Sequence, residues 1–93
     1  MFEITKNKIN LVIDDKILGY ILYDEKKEKL YSNYVYVTPE ERGKGYANLL
    51  IEKFVELSKE KNKKIVPICP VIKKIVESKY EEVLWWLHQK IMN

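Results

Sequence analysis

The hydrophobic pattern of the chain changes its period at Gly45, and this change constrains the fold more than any other feature. Residues 30–37 are rich in Tyr and Val, which is typical of a β-strand. After Gly45 the apolar side chains recur every three or four positions, which indicates an amphipathic helix. The pattern therefore predicts a strand that passes through a short loop into a helix. The buried face of that helix is expected to carry Ala47, Leu50, Ile51, Phe54, Leu57 and Ser58.

Two β-rich runs precede this unit. Residues 8–13 and 17–23 flank a short polar turn, so they predict a β-hairpin. We expect the strand at 30–37 to pair antiparallel with the second run. It should end at Thr38 and Pro39, because proline has no N–H to donate to a sheet.

After the helix, residues 65–69 form a compact apolar run that predicts another strand. A strand–helix–strand unit makes a right-handed crossover, so this strand should lie parallel to the strand at 30–37. Pro67 indicates that one side of it is unpaired late in its course. Pro70 is suited to the first turn of a second helix. The apolar spacing over residues 82–92 predicts a final, separate helix.

The length and composition fit one domain. With 93 residues the chain is long enough for one hydrophobic core and too short for two, so we expect a single α/β domain over residues 1–93. Hydrophobic residues make up 46% and charged residues 33%, which is typical of a globular protein with a solvated surface. No apolar run approaches the ~20 residues that span a membrane. The N-terminal residues lack the pattern of a secretory signal, which indicates a cytoplasmic protein without a membrane partner.

Charge and cysteine content argue against further classes of function. The formal net charge is +3, and an acidic residue lies among the lysines of residues 59–64. This pattern indicates a solvated loop and no nucleic-acid partner. Cys69 is the only cysteine and has no companion ligands, so we expect no disulfide, no metal site and a reducing compartment.

The loop between the strand and the helix carries Arg42, Gly43 and Gly45, and Arg42 is the only arginine of the chain. The first N–H groups of a helix have no partners within the helix, and the helix dipole adds positive potential there. Glycines let a ligand approach the backbone closely, so this arrangement predicts a phosphate-binding site. The loop is too short for a nucleoside-triphosphate P-loop. The antiparallel opening strands argue against a dinucleotide-binding fold.

The segment Arg42-Gly43-Lys44-Gly45-Tyr46-Ala47 resembles the Arg/Gln-x-x-Gly-x-Gly/Ala motif of the GNAT superfamily, the GCN5-related N-acetyltransferases. The order of elements and the length are similar to those of small stand-alone members, and the resemblance covers nearly the whole chain. It implies a reduced GNAT acyl-CoA N-acyltransferase fold. In that fold antiparallel N-terminal strands precede a CoA-binding strand–helix–strand unit and C-terminal helices.

The resemblance also implies that acetyl-CoA is the co-substrate. Backbone N–H groups of residues 42–47 would hold the pyrophosphate, and the pantetheine arm would pair with the end of the strand. The N–H of Val37 would polarise the thioester carbonyl. The residues expected to bind CoA are therefore Tyr36, Val37, Arg42, Gly43, Lys44, Gly45, Tyr46 and Ala47.

Two side chains are the main candidates for a direct role in catalysis. Cys69 is either a nucleophile or acyl carrier, which requires a thiolate, or an ordinary buried cysteine. The resemblance implies that Tyr80 protonates the departing CoA thiolate, and packing against the core is its alternative role. Glu40 and Glu41 are candidates to activate an amine, but carboxylates at a helix start commonly act as dipole partners.

The C-terminal segment offers a candidate contact surface. Trp85 and Trp86 are adjacent on the expected final helix, so one face cannot bury both completely. An exposed tryptophan would mark a homodimer contact or an acceptor surface, whereas a partly buried one would belong to the core. His88 has no companion ligand and is expected on the surface or in packing.

Together these features predict an N-acetyltransferase in which a small-molecule or peptide amine attacks the thioester of acetyl-CoA directly. The alternative is a non-catalytic acyl-CoA-binding module. The chain has Tyr34-Val35 and Cys69-Pro70-Val71 where short relatives often carry His-Thr and Cys-Ser-Tyr. It also lacks the helical region that helps to form the acceptor groove of full-size enzymes. The acceptor pocket is therefore either open or completed by a second subunit, and the sequence does not identify the acceptor.

Overall fold

A computed structural model describes residues 1–86, in which a five-stranded sheet packs against two helices. The strands are β1 (Phe2–Ile4), β2 (Lys8–Ile13), β3 (Lys16–Glu25), β4 (Lys29–Val37) and β5 (Lys64–Pro67). The helices are α1 (Tyr46–Glu60) and α2 (Pro70–Lys79), and short 3-10 turns span Pro39–Glu41 and Glu81–Val83.

The strands lie in the sheet in the order in which they occur along the chain. Strands β1 to β4 pair antiparallel, and β5 pairs parallel with β4 across the α1 crossover. The predicted hairpin forms through Asp14 and Asp15, whose φ angles of 53° and 65° suit a two-residue turn. The hairpin, the antiparallel third strand, the parallel pair and the edge position of Pro67 are confirmed.

The prediction from the sequence misses β1, ends β3 two residues early and ends β5 two residues late. β1 is too short to show an alternating pattern, and its pairing with β2 through Phe2 and Leu11 defines it instead. The predicted strand over residues 65–69 is too long, because β5 ends at Pro67. The N–H groups of Ile68 and Cys69 both donate to the Ser32 carbonyl, so the chain turns here into α2.

The predicted helix over residues 82–92 is wrong at its start. Residues Glu81–Val83 form a 3-10 turn, and Leu84 pairs with Ile65 of β5 in an isolated bridge. Leu84 is buried there, and this burial outweighs the helical spacing of the sequence. Helical backbone begins at Trp85. The remainder of the predicted helix, including His88, lies outside the described residues.

A β-bulge in β4 changes which side chains of that strand are buried. Leu22 of β3 pairs with Tyr34, and Tyr23 pairs with Ser32, so Asn33 is the extra residue. Before the bulge the even-numbered residues of β4 face the core. Beyond it the odd-numbered residues do so, and the even-numbered tyrosines turn to the opposite face of the sheet.

The buried apolar side chains form one cluster to which the sheet and both helices contribute. Phe54 of α1 packs against Tyr23 with a distance of 5.3 Å between ring centroids. Ile72 and Val76 of α2 are fully buried in the same cluster. Both helices therefore pack against β4.

Gly19 of β3 is a close-approach site between the sheet and α1. A β-carbon at this position would lie 2.6 Å from the Tyr36 carbonyl oxygen and 3.2 Å from the Leu50 side chain. We therefore expect Gly19→Ala to lower the free energy of unfolding by about 1–3 kcal/mol in urea titrations. Gly43→Ala is the control, because its φ of +82° adds strain of about 1–2 kcal/mol, but no atom of residues 1–86 lies within 4 Å of the added carbon. A smaller loss for Gly19→Ala than for the control would contradict this packing.

Candidate functional site

A groove of about 420 Å³ lies where the end of β4, the loop before α1 and the first turns of α2 meet. Residues 34–37 form its strand side, and Val71 and Ile75 form its α2 side. Its third side is the loop and the first turn of α1, from Glu41 to Asn48. The predicted phosphate loop and the predicted strand end thus share one surface.

The groove exists because β4 and β5 separate. The two strands pair from Lys29 and Lys64 to Ser32 and Pro67. The chain then turns away at Ile68, whereas β4 continues to its end. Among residues 1–86 no strand pairs with the edge of β4 that faces α2 beyond the bulge, so the N–H groups on this edge have no strand partner there.

The ladder between β3 and β4 shows which backbone groups face the groove. The N–H of Thr38 donates to the Leu18 carbonyl over 2.9 Å, so this residue points toward β3. Because hydrogen-bonding direction alternates along a strand, Tyr36 also points toward β3, whereas Val35 and Val37 point away from it. The N–H groups of Val35 and Val37 therefore face the groove.

The loop places the first turn of α1 at the other end of the groove. Gly43 and Gly45 have φ angles of +82° and +85°, a conformation that glycine adopts readily. Gly45 is the N-cap of α1 and has no side chain to cap the helix. Leu49 is the first residue whose N–H reaches a helix carbonyl, that of Gly45. Within residues 1–86, the N–H groups of Tyr46, Ala47 and Asn48 have no acceptor, which is the arrangement that binds anions.

The Arg42 side chain contacts the strand that precedes it. Its Nε–H donates to the Val37 carbonyl over 2.8 Å, and its guanidinium carbon lies 5.5 Å from the centroid of the Tyr36 ring. The Tyr36 ring in turn stacks on Tyr20 with 5.3 Å between centroids. The side chain of the predicted motif residue therefore helps to hold the strand end in place.

Lys44 adds positive charge beside the loop. Its ammonium group is 2.9 Å from the Glu41 carboxylate, and this hydrogen bond raises the pKa of Lys44 above its ordinary value. The Lys44 side chain is exposed, and the raised pKa keeps its ammonium group charged at neutral pH. Lys44 does not line the groove.

Seven of the eight residues predicted to bind CoA line the groove, and Lys44 is the exception. Neither predicted catalytic side chain lines it. Cys69 is buried at the N-cap of α2, with its N–H bonded to the Ser32 carbonyl. Tyr80 caps the opposite end of α2, where it is half-buried against the core. The predicted CoA-binding residues that line the groove are Tyr36, Val37, Arg42, Gly43, Gly45, Tyr46 and Ala47.

Sequence reasoning missed several groove residues. Val35 could have been found, because it shares the strand parity of Val37. Val71 and Ile75 are four positions apart, a helical spacing that places both on one face of α2. Asn48 lies in the first turn of α1, where its N–H is one of the three that have no acceptor within residues 1–86.

The tryptophans of the C-terminal segment are half-buried rather than exposed. The ammonium of Lys29 lies 4.2 Å from the Trp85 ring centroid, and Trp86 packs against the core. The homodimer stays a prediction from the sequence, and neither tryptophan is exposed enough to support it. Within residues 1–86 no helix has the length and apolar character needed to cross a membrane, and no group of three or more potential metal ligands clusters there.

Comparison with solved structures shows the same fold in three bacterial proteins. A GCN5-like candidate N-acetyltransferase from Staphylococcus aureus is 24% identical, with a TM-score of 0.73 over 90% of this chain and 86% of that one. The ribosomal-protein-alanine N-acetyltransferase from Brucella melitensis is 21% identical, with a TM-score of 0.64 over 83% of this chain and 60% of that one. A predicted acetyltransferase from Clostridium acetobutylicum, solved with acetyl-CoA, is 19% identical, with a TM-score of 0.58 over 78% of this chain and 55% of that one.

These proteins differ in length from the chain. The present chain spans most of the Staphylococcus protein but less than two thirds of the Brucella and Clostridium proteins. No curated protein matches the chain in sequence. The family model of GCN5-related N-acetyl-transferases, in contrast, matches residues 2–83. The separation of β4 from β5, the glycine-containing loop and the uncapped start of α1 agree with this match. The match shows that the chain belongs to the GCN5-related N-acetyltransferase family.

Proposed function

We propose that the chain binds acetyl-CoA in the groove between β4 and α2 and transfers the acetyl group to an amine. One observation carries the proposal: the open edge of β4 and the uncapped start of α1 present unpaired N–H groups to the same groove. The helix start suits the pyrophosphate, and the strand edge suits the amide-containing pantetheine arm. The family membership and the acetyl-CoA in the structure of the Clostridium protein support this assignment.

In the proposed reaction a neutral amine attacks the thioester carbonyl. A carbon–nitrogen bond forms, the carbon–sulfur bond breaks, and the amine loses a proton while the CoA thiolate gains one. The N–H of Val37 would donate to the carbonyl oxygen as it becomes negative, and Val35 presents a second donor along the same edge. Val71 and Ile75 would exclude water from the pantetheine arm on the opposite side.

Ligand binding is tested by thermal unfolding with acetyl-CoA. At 100 times its Kd the ligand should stabilise the fold by about 2.7 kcal/mol, because it binds the folded state only. S-acetylpantetheine, which lacks the diphosphate, should bind more weakly in the same groove. The absence of any shift at millimolar acetyl-CoA would refute the binding proposal.

A non-catalytic acyl-CoA-binding module is the second candidate, and the positions of Cys69 and Tyr80 outside the groove favour it. Release of the CoA thiol in the presence of a panel of amines separates the two functions. Binding without release above the uncatalysed rate would support the module.

Cys69→Ala and Tyr80→Phe test the two catalytic predictions in the same assay. If one of these variants loses turnover but still binds acetyl-CoA, the result supports a catalytic role for the residue that was replaced. Unchanged turnover in both variants would leave the enzyme intact and remove these two residues from its mechanism. The acceptor amine and the cytoplasmic location remain predictions from the sequence.

A further inference from the structure

The side chain of Arg42 is committed to the end of β4. Its Nε–H donates to the Val37 carbonyl oxygen over 2.8 Å, and its guanidinium lies over the Tyr36 ring. Arginine is commonly expected to bind phosphate through its charge. Here one of its five donors already has a partner within the protein.

The hydrogen bond holds one particular peptide group, the one that joins Val37 to Thr38. The N–H of this group, on Thr38, donates to the Leu18 carbonyl over 2.9 Å on the β3 side. Its carbonyl, on Val37, accepts the bond from Arg42 on the groove side. Both ends of the peptide plane are thus fixed, and no β5 residue pairs with this part of the edge.

Fixing this plane also fixes the direction of the Val37 N–H. In an extended strand the N–H and the carbonyl of one residue point to the same side. A Val37 carbonyl held toward the groove therefore keeps its N–H turned toward the groove as well. Without the bond from Arg42, the last residues of a strand with one free edge would be free to twist or fray.

We propose, on the basis of the proposed function, that Arg42 is a positioning residue that acts through its Nε–H and not through its charge. It holds the end of β4 so that the Val37 N–H meets the acyl carbonyl. Glutamine carries an N–H donor on the same δ-carbon as arginine but has no charge. The motif that this chain matches allows either arginine or glutamine at this position. This choice agrees with the N–H donor that the two side chains share being the required feature.

Three substitutions separate the donor from the charge. Arg42→Gln keeps the donor and removes the charge. Arg42→Lys keeps the charge but carries its donors one bond farther from the backbone. Arg42→Met has a similar length and neither feature. We expect kcat/KM for acetyl-CoA to stay within about threefold of wild type for Gln and to fall about tenfold or more for Lys and Met, the usual effect of losing one charged hydrogen bond.

S-acetylpantetheine decides between positioning and phosphate binding, because it contains the thioester and lacks the diphosphate. Positioning predicts the same order of variants with this substrate as with acetyl-CoA. Charge acting on the diphosphate predicts a different result: Lys close to wild type and Gln impaired with acetyl-CoA, and four equal proteins with S-acetylpantetheine. The result expected for charge would overturn the proposal. Equal activity of all four proteins with both substrates would also overturn it, as would a loss in the Gln variant as large as in the Met variant.

Amide hydrogen exchange of the ligand-free protein gives a readout that does not depend on catalysis. The N–H of Thr38 should exchange about tenfold faster in the Lys and Met variants than in wild type and Gln, because only its peptide plane loses an anchor. Equal protection in all four proteins would contradict the positioning role even if no acetyl transfer occurs. Turnover that is absent in wild type while the exchange order holds would instead reject the proposed reaction and leave the positioning role intact. Circular dichroism melting confirms that each variant is folded.

Discussion

Val37→Pro is expected to leave the sheet intact and to lower the rate of acetyl transfer by about 10²–10³-fold, the usual effect of removing an oxyanion donor. Proline has no N–H, and the N–H of Val37 faces the groove, where no strand in the described part of the chain pairs with it. Such an edge position is where a sheet tolerates proline. The Val37 carbonyl, which accepts the bond from Arg42, remains in place. Single-turnover rates at saturating acetyl-CoA measure the effect.

Tyr36→Pro is the matched control at the neighbouring position. The N–H of Tyr36 points toward β3, so its removal should cost a ladder hydrogen bond and about 1–3 kcal/mol of stability. The two variants therefore separate a loss of activity from a loss of folding. If Val37→Pro unfolds the protein while Tyr36→Pro does not, the assignment of strand direction is wrong. If Val37→Pro is folded and fully active, the Val37 N–H has no role in the reaction.

Asn48→Glu is expected to change stability and binding in opposite directions. A carboxylate in the first turn of α1 interacts favourably with the helix dipole, which contributes about 0.3–1 kcal/mol. The same carboxylate lies at the proposed pyrophosphate site, where two like charges at about 4 Å repel by roughly 4 kcal/mol at an effective dielectric constant of 20. We expect the affinity for acetyl-CoA to fall by at least about thirtyfold, since partial exposure weakens this repulsion.

Asn48→Gln is the neutral control for this substitution and should bind acetyl-CoA nearly as well as wild type. Calorimetric titration gives the Kd values, and urea unfolding gives the stabilities. Equal affinity of the Glu and Gln variants would show that the diphosphate lies elsewhere. S-acetylpantetheine, which carries no diphosphate, should bind both variants alike.

The strand–loop–helix unit could be predicted from the sequence because local signals determine it. The strand pattern ends at Val37 and the helical pattern begins after Gly45. The positive φ angles of Gly43 and Gly45 agree with the predicted turn between them. The helical spacing of the apolar residues identified the face of α1 that is buried, from Leu50 to Ser58. These features depend on neighbouring residues and not on distant contacts.

The strand edge that forms the groove could not be predicted in the same way. Whether Val35 has a free N–H depends on where β5 ends, and this point is set by the bonds from Ile68 and Cys69 to Ser32. Ser32 lies in a distant part of the sequence. The bulge at Asn33 also changes the parity of β4, and a single extra residue leaves no clear sequence signal.

The locations of the candidate catalytic residues depend on how α2 packs. Cys69 and Tyr80 lie at opposite ends of this helix, so one groove cannot be lined by both unless the helix runs along its full length. Instead Val71 and Ile75 of its first turns contact the groove. The sequence indicated that α2 follows β5, but it did not indicate which turn of α2 faces the groove.

The central claim is that one groove binds acetyl-CoA through the edge of β4 and the start of α1. An NMR titration of the labelled protein with acetyl-CoA tests it most directly, because each backbone N–H reports its own environment. The account predicts that the largest amide shifts occur at Val35, Val37 and residues 46–48, and that the N–H signals of β1 and β2 remain unchanged. Binding with its largest shifts on β1 and β2, or no binding at millimolar acetyl-CoA, would contradict it.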